Sequence, residues 1–211
     1  MSRTVRVLLV LFMLFVLLLV ALDFGAKIAV ERVSARELRN AEQIDAGGVE
    51  TSVDTFPFLG RLLVSGATSF SIGLDDVTDR GVRVDRIEFD VDGLVFDRGE
   101  ALEGRVRIDD VDQVRATAVI DEDTIAAAAG VPVDLEPGSA TAAGSTVEVA
   151  VVGRQVQAAV PGVGAVAFAV PSTDYLPCEP ALVIAQDRVE LSCTTDSLPP
   201  LVNQALSEVN P

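Results

Sequence analysis

A chain of 211 residues with 32 acidic against 16 basic side chains carries a net charge of −16. It has no basic face to offer a phosphate backbone, which excludes nucleic-acid binding. The absence of histidine removes Ser-His and Cys-His nucleophile pairs and the commonest zinc ligand, and with no tryptophan and a single tyrosine, Tyr175, there is no aromatic platform for a sugar.

The N-terminus carries a membrane signal. Arg3 and Arg6 precede an unbroken apolar run from Val7 to Leu22, and the first acid, Asp23, follows it. Basic residues ahead of an apolar segment hold that end in the cytoplasm and send the remainder across. As a helix the run spans roughly 24 Å, shorter than the ~30 Å hydrocarbon core, so its length fits either a signal peptide or a short anchor. Signal peptidase needs small residues at −3 and −1, but the bulky Leu19 stands two residues before Ala21 and the bulky Phe24 two before Ala26. This favours an uncleaved anchor over residues 1–22, a cleaved signal being the alternative. Either way, residues 23–211 form one extracytoplasmic (periplasmic) domain, large enough for a sizeable core.

Residues 23–45 predict an amphipathic helix, with Phe24, Ile28, Val33, Leu38 and Ile44 in its apolar stripe and Gly47-Gly48 as its stop. From Val49 the pattern turns to strands, expected over 49–54, 62–74, 81–97, 104–120, 145–160, 163–170, 181–186 and 188–194. Along the third of these the apolar positions change face twice. They pass from Val82 and Val84 to Ile87, Phe89 and Val91, then to Leu94 and Phe96. Each change calls for a bulge, and bulged long strands bend, which predicts a strongly curved antiparallel sheet.

Two short helices interrupt the strands. Acids at Asp121, Glu122 and Asp123, an alanine body and Gly130 signal the first; Ser197, with Leu198, Leu201, Val202 and Leu206, signals the second. Pro132 to Gly144 reads as a loop of small residues. Cys178 and Cys193 flank a hairpin that turns at Gln186-Asp187. In an oxidising compartment they are expected to form a disulfide across its open end, closing about 16 residues and contributing roughly 3 kcal/mol.

The acidic pairs at Asp75-Asp76, Asp90/Asp92, Asp109-Asp110 and Asp121/Asp123 do not form a calcium loop; after Asp90 and Asp92, Leu94 stands where an oxygen ligand is required. No metal, no cofactor and no catalytic residue is expected. The apolar block Thr55-Phe56-Pro57-Phe58-Leu59-Gly60 reads either as a corner sealing the core or as the mouth of an apolar cavity.

A membrane-leading helix, a short strand, Phe56-Pro57-Phe58-Leu59, then Gly66 and the run Val82, Ile87, Phe89, Val91 and Leu94 resemble the LmeA-like phospholipid-binding proteins (the DUF2993 group) of actinobacterial cell envelopes. The resemblance extends from about residue 20 to the C-terminus. It implies an α+β, tubular lipid-binding-like fold, in which a long N-terminal helix is clasped by a curved sheet around an apolar channel. It also implies a phospholipid partner and a role in lipoglycan (lipomannan) elongation. On this reading Phe56, Phe58, Leu59, Phe89 and Phe96 are candidate lipid-binding residues. Arg61, beside the block, is the candidate headgroup cation. The other arginines, Arg80, Arg83, Arg86, Arg105 and Arg107, read as surface partners for aspartate, worth ~0–1 kcal/mol each. A domain with a filled core, acting structurally through its surface, is the competing expectation.

Overall fold

The computed structural model describes residues 46–53, 67–79, 81–96 and 108–203, with positions 13, 14, 17, 18, 20, 21 and 25 of the N-terminal segment. The rest of the expected anchor and of the 23–45 helix lies outside the described residues. The described N-terminal positions are helical, and Met13, Leu14, Leu17 and Leu18 are each more than half exposed. Among the described residues no helix is long and apolar enough to cross a membrane.

The chain runs through β1 (Gly48–Val53), β2 (Ala67–Asp79), β3 (Val82–Phe96), β4 (Ile108–Asp110) and β5 (Gln113–Asp121) into helix α1 (Glu122–Ala129). There follow β6 (Val133–Glu136), β7 (Ser139–Ala142), β8 (Ser145–Val147), β9 (Val149–Val152), β10 (Gln155–Val160) and β11 (Gly164–Ala169). The hairpin β12 (Ala181–Ala185) and β13 (Arg188–Thr195) completes the described strands. All pairings are antiparallel. A large sheet has the order β1-β2-β3-β5-β13-β12 with β4 beside β3, and two three-stranded sheets have the orders β6-β7-β8 and β11-β10-β9.

Alternation explains the large sheet. Every second residue of β5 is buried, Val114, Ala116, Ala118 and Ile120, and likewise Val189, Leu191 and Cys193 of β13. Registered across the sheet, these make inward rows such as Ile72–Phe89–Ala116–Cys193 and Leu74–Ile87–Ala118–Leu191. Burying a Leu, Ile or Phe side chain contributes about 1.5–3 kcal/mol, so rows of this kind supply much of the driving force.

Both expected changes of face on β3 occur. Leu74 pairs with Ile87 and Val77 with Val84, and all four are buried, so two residues separate the buried positions on each strand. Asp76, at φ 52°, takes up the change on β2. The second lies at Gly93, where the β2–β3 register shifts. Gly93 has φ 67°, and a Cβ there would stand 2.0 Å from Asp112 Oδ2, so only glycine fits.

Several boundaries differ from expectation. Pro132–Gly144 is not a loop: it holds β6 and β7, in which Leu135, Ala140 and Ala142 are buried. Small side chains there let strands pack closely, a use that composition alone does not separate from a flexible connection. The 145–160 strand is broken at Glu148 and Gly153-Arg154 into β8, β9 and β10, and the 104–120 strand at Val111-Asp112. β2 runs on to Asp79, beyond the expected end at 74. The last described helical turn begins at 200, later than expected; the Ser197 N–H is instead taken by the Thr195 hydroxyl at 3.3 Å. The domain described is mostly antiparallel sheet with few helices. The long helix expected to be clasped by it lies outside the described residues.

The disulfide is present, joining Cys178 to Cys193 with 5.7 Å between their Cα atoms. It ties the approach to β12 onto the neighbouring strand β13, where Cys193 pairs with Ala116 of β5.

Candidate functional site

Helix α1 is held by side chains other than its own cap. Asp121 occupies the N-cap position without a side-chain cap. The Asp85 carboxylate accepts instead from Asp121 N–H at 2.8 Å and from the Thr124 hydroxyl at 2.9 Å. Glu122 N–H donates to the Asp187 carbonyl, in the β12–β13 turn, and the Glu122 carboxylate accepts from Leu135 N–H at 2.7 Å. Gly130, at φ 69°, closes the helix by donating to the Ala126 carbonyl. None of the helix's residues is fully buried.

Beneath α1 lies an apolar cavity. Ile125 and Ala129 of the helix form one wall, and Val133, Leu135, Ala140, Ala142 and Val147 of the β6-β7-β8 sheet a second. Val149, Ala158, Val160, Val166 and Phe168 of the β11-β10-β9 sheet form a third, and Val189 of β13 the floor. Every lining residue is apolar, so a water inside would have no partner and the space stays dry. Its volume is about 40 Å³. Pockets for drug-sized ligands run to roughly 300–1,000 Å³, so the space as it stands is far too small for such a ligand.

Of the residues expected to bind lipid, Phe56, Phe58, Leu59 and Arg61 lie outside the described residues. Phe89 is fully buried in the main core between Ile72 and Ala116 in the sheet. Phe96 ends β3 opposite Ile108. At one end of the large sheet Val53 pairs with Phe70, Phe70 with Val91 and Val91 with Val114. At that end Val91, Leu94, Val111 and Val114 form a second apolar cluster. Helix α1 leaves the other end of β5. The six residue-to-residue steps from Val114 to Ile120, at about 3.4 Å each, separate the two ends by roughly 20 Å along the inner face.

The charged residues stand apart from this interior. Arg86 lies across Gly73, bonded to Asp75 at 2.8 Å and reaching Glu50 at 3.4 Å. Burial alone would lower its pKa; the hydrogen bond and charge of Asp75, aided by Glu50, outweigh this and raise it. Arg83 pairs with Asp76 at 2.7 Å on the exposed surface. The Asp121 carboxyl is raised above its ordinary value, chiefly by burial and then by the charge of Asp85, against the opposing pull of Arg188. Among the described residues no group of three or more Asp, Glu, Cys or His is gathered for a metal ion.

One cation that no sequence pattern singles out, Arg154, has a structural task. Its guanidinium donates to the carbonyls of Pro171 and Leu176, pinning a segment in which Val170, Ser172, Tyr175 and Leu176 are buried. The same segment is held by Ser172 N–H donating to the Asp79 carboxylate. The apolar cavity was likewise unmarked, because its walls are mostly alanines and valines of strands, whose spacing is that of any strand.

The sequence model of one protein family, LmeA-like phospholipid-binding, matches residues 21–209. No curated protein and no solved structure matches the chain.

Proposed function

Because the chain belongs to the LmeA-like phospholipid-binding family, we propose that it is a membrane-anchored extracytoplasmic protein that holds phospholipid acyl chains in its interior. It catalyses no reaction and serves lipid or lipoglycan (lipomannan) metabolism of the cell envelope. The observation that carries this reading is the dry space under α1, walled entirely by apolar side chains in a chain of net charge −16. A soluble domain gains nothing from leaving such a void unfilled, since each 1 Å³ costs about 24 cal/mol.

The lipid path we propose runs from the Phe56–Leu59 corner, with Arg61 at the headgroup, along the inner face of the large sheet to the space under α1. The N-terminal helix completes the tube. Because the space holds only about 40 Å³, a chain enters by displacing a wall, and we assign that movement to α1, none of whose residues is fully buried. The anchor is supported by the helical, exposed positions Met13, Leu14, Leu17 and Leu18 that follow Arg3 and Arg6.

The small volume also favours a second reading, a packed domain that acts structurally in the envelope through its surface. Transfer of a fluorescent phospholipid from vesicles to the 27–211 fragment separates the two. Saturable uptake supports lipid binding, and a folded fragment that takes up none supports the structural role.

A further inference from the structure

We infer that the β10–β11 hairpin is the surface by which this protein docks on a lipid bilayer, its tip Pro161-Gly162-Val163-Gly164 entering the interfacial layer. Charged side chains make up 23% of the chain, yet Val149 to Ala169 contains a single one, Arg154. That guanidinium is turned inward onto the Pro171 and Leu176 carbonyls, so the hairpin presents almost no charge to solvent.

What it does present is mostly small and apolar, beside the exposed Gln155 and Gln157. Ala159, Ala165 and Ala167 are exposed on its outer side, Val163 at the tip is 51% exposed, and Val152 on the adjoining turn is 56% exposed. The outer polar face of the large sheet, by contrast, carries Glu50, Asp75 and Arg86. The tip projects freely: a Cβ at Gly162 or Gly164 would meet no atom within 4 Å. Its backbone is partly satisfied internally, since Val163 N–H donates to the Val160 carbonyl at 3.1 Å, which lowers the cost of leaving water.

The occupant is a bilayer, and not a protein. Protein interfaces draw their binding energy from Trp, Tyr and Arg anchors set in pockets, and this face offers Ala, Val, Gly, Pro and Gln instead. A bilayer asks for no matching shape, only for an uncharged surface. A chain of net charge −16 is repelled by anionic surfaces, and an uncharged face adds nothing to that repulsion at close approach. Continuity with the interior supports this: on their other side the same two strands line the dry space with Ala158, Val160, Val166 and Phe168. With no aromatic anchor the insertion is shallow and reversible. The proposal rests on the lipid-binding reading only for what docking would accomplish.

The test uses the full chain reconstituted in phosphatidylcholine vesicles, with a polarity-sensitive fluorophore on Val163→Cys and, separately, on Val183→Cys. Val183 is 52% exposed on the edge strand β12 and serves as the control. The expected result is a blue-shifted emission at 163, quenched by lipids bearing a shallow acyl-chain quencher, with aqueous emission at 183. Aqueous emission at both sites, or equal quenching at both, overturns the inference. Shielding of the 163 label without vesicles, together with a dimeric mass, assigns the face to a second copy and overturns it too. If Val163→Cys does not fold, Val152→Cys carries the label on the neighbouring turn. Lipid extracted from the same samples keeps the two claims apart: bound lipid with an aqueous tip refutes docking alone, and an inserted tip without bound lipid refutes the lipid-binding reading alone.

Discussion

Substituting Ala158 with valine tests the apolar space directly. Ala158 lies at the centre of β10, paired with Val149 of β9 and Val166 of β11, and all three line the cavity. Valine adds two methyl-sized groups. Filling about 40 Å³ at ~24 cal/mol per Å³ recovers up to about 1 kcal/mol, and valine's preference for strands acts in the same direction. For a domain of this size that is a rise of roughly 2–4 °C in Tm. The same methyl groups occupy the place where an acyl chain would begin to seat, so lipid uptake should fall while stability rises. Thermal melting and uptake of fluorescent phospholipid are measured on one preparation. A raised Tm with unchanged uptake refutes this space as the lipid site. A Tm lowered by the equivalent of 1–3 kcal/mol, the usual cost of overpacking, shows that the room is not there.

Three further outcomes follow from the contacts described. Replacing Cys178 and Cys193 together by serine should cost about 3 kcal/mol, read by denaturant unfolding of the oxidised parent against the variant, because the bridge closes a 15-residue separation; equal midpoints would contradict this. Asp85→Ala removes the acceptor for Asp121 N–H and Thr124, costing ~1 kcal/mol and loosening α1, so lipid uptake should become faster as Tm drops; slower uptake would count against α1 as the moving wall. The pKa of Asp121 is raised from its ordinary 3.8, so the folded protein binds more protons than the unfolded chain between 3.8 and the raised value. Stability from this group is therefore present below 3.8 and lost as pH rises through the folded pKa, and Asp121→Asn should be the more stable protein at neutral pH, with an advantage that disappears in acid.

Much of the fold was legible because it rests on local signals. The α1 helix announces itself by acids, alanines and a closing glycine. The β12–β13 hairpin and its disulfide follow from two cysteines placed about a Gln186-Asp187 turn. The face changes of β3 were readable because a strand's side chains alternate strictly, so Val84, Ile87 and Leu94 cannot share a side without an irregularity. What stayed hidden depends on partners distant in sequence. Ala140 and Ala142 look like loop residues until the opposing sheet closes over them. Arg154 looks like a surface cation, but its partners are backbone carbonyls 17 and 22 residues away, which no side-chain pattern reveals. Asp85 caps a helix 36 residues downstream in the same way.

The central claim is that the interior takes up lipid, and native mass spectrometry of the 27–211 fragment, with organic extraction of what it carries, tests it most directly. The account predicts a folded monomer that acquires a phospholipid-sized mass after exposure to vesicles and loses it on extraction. A folded monomer that remains at its bare mass, with nothing extracted, would contradict it.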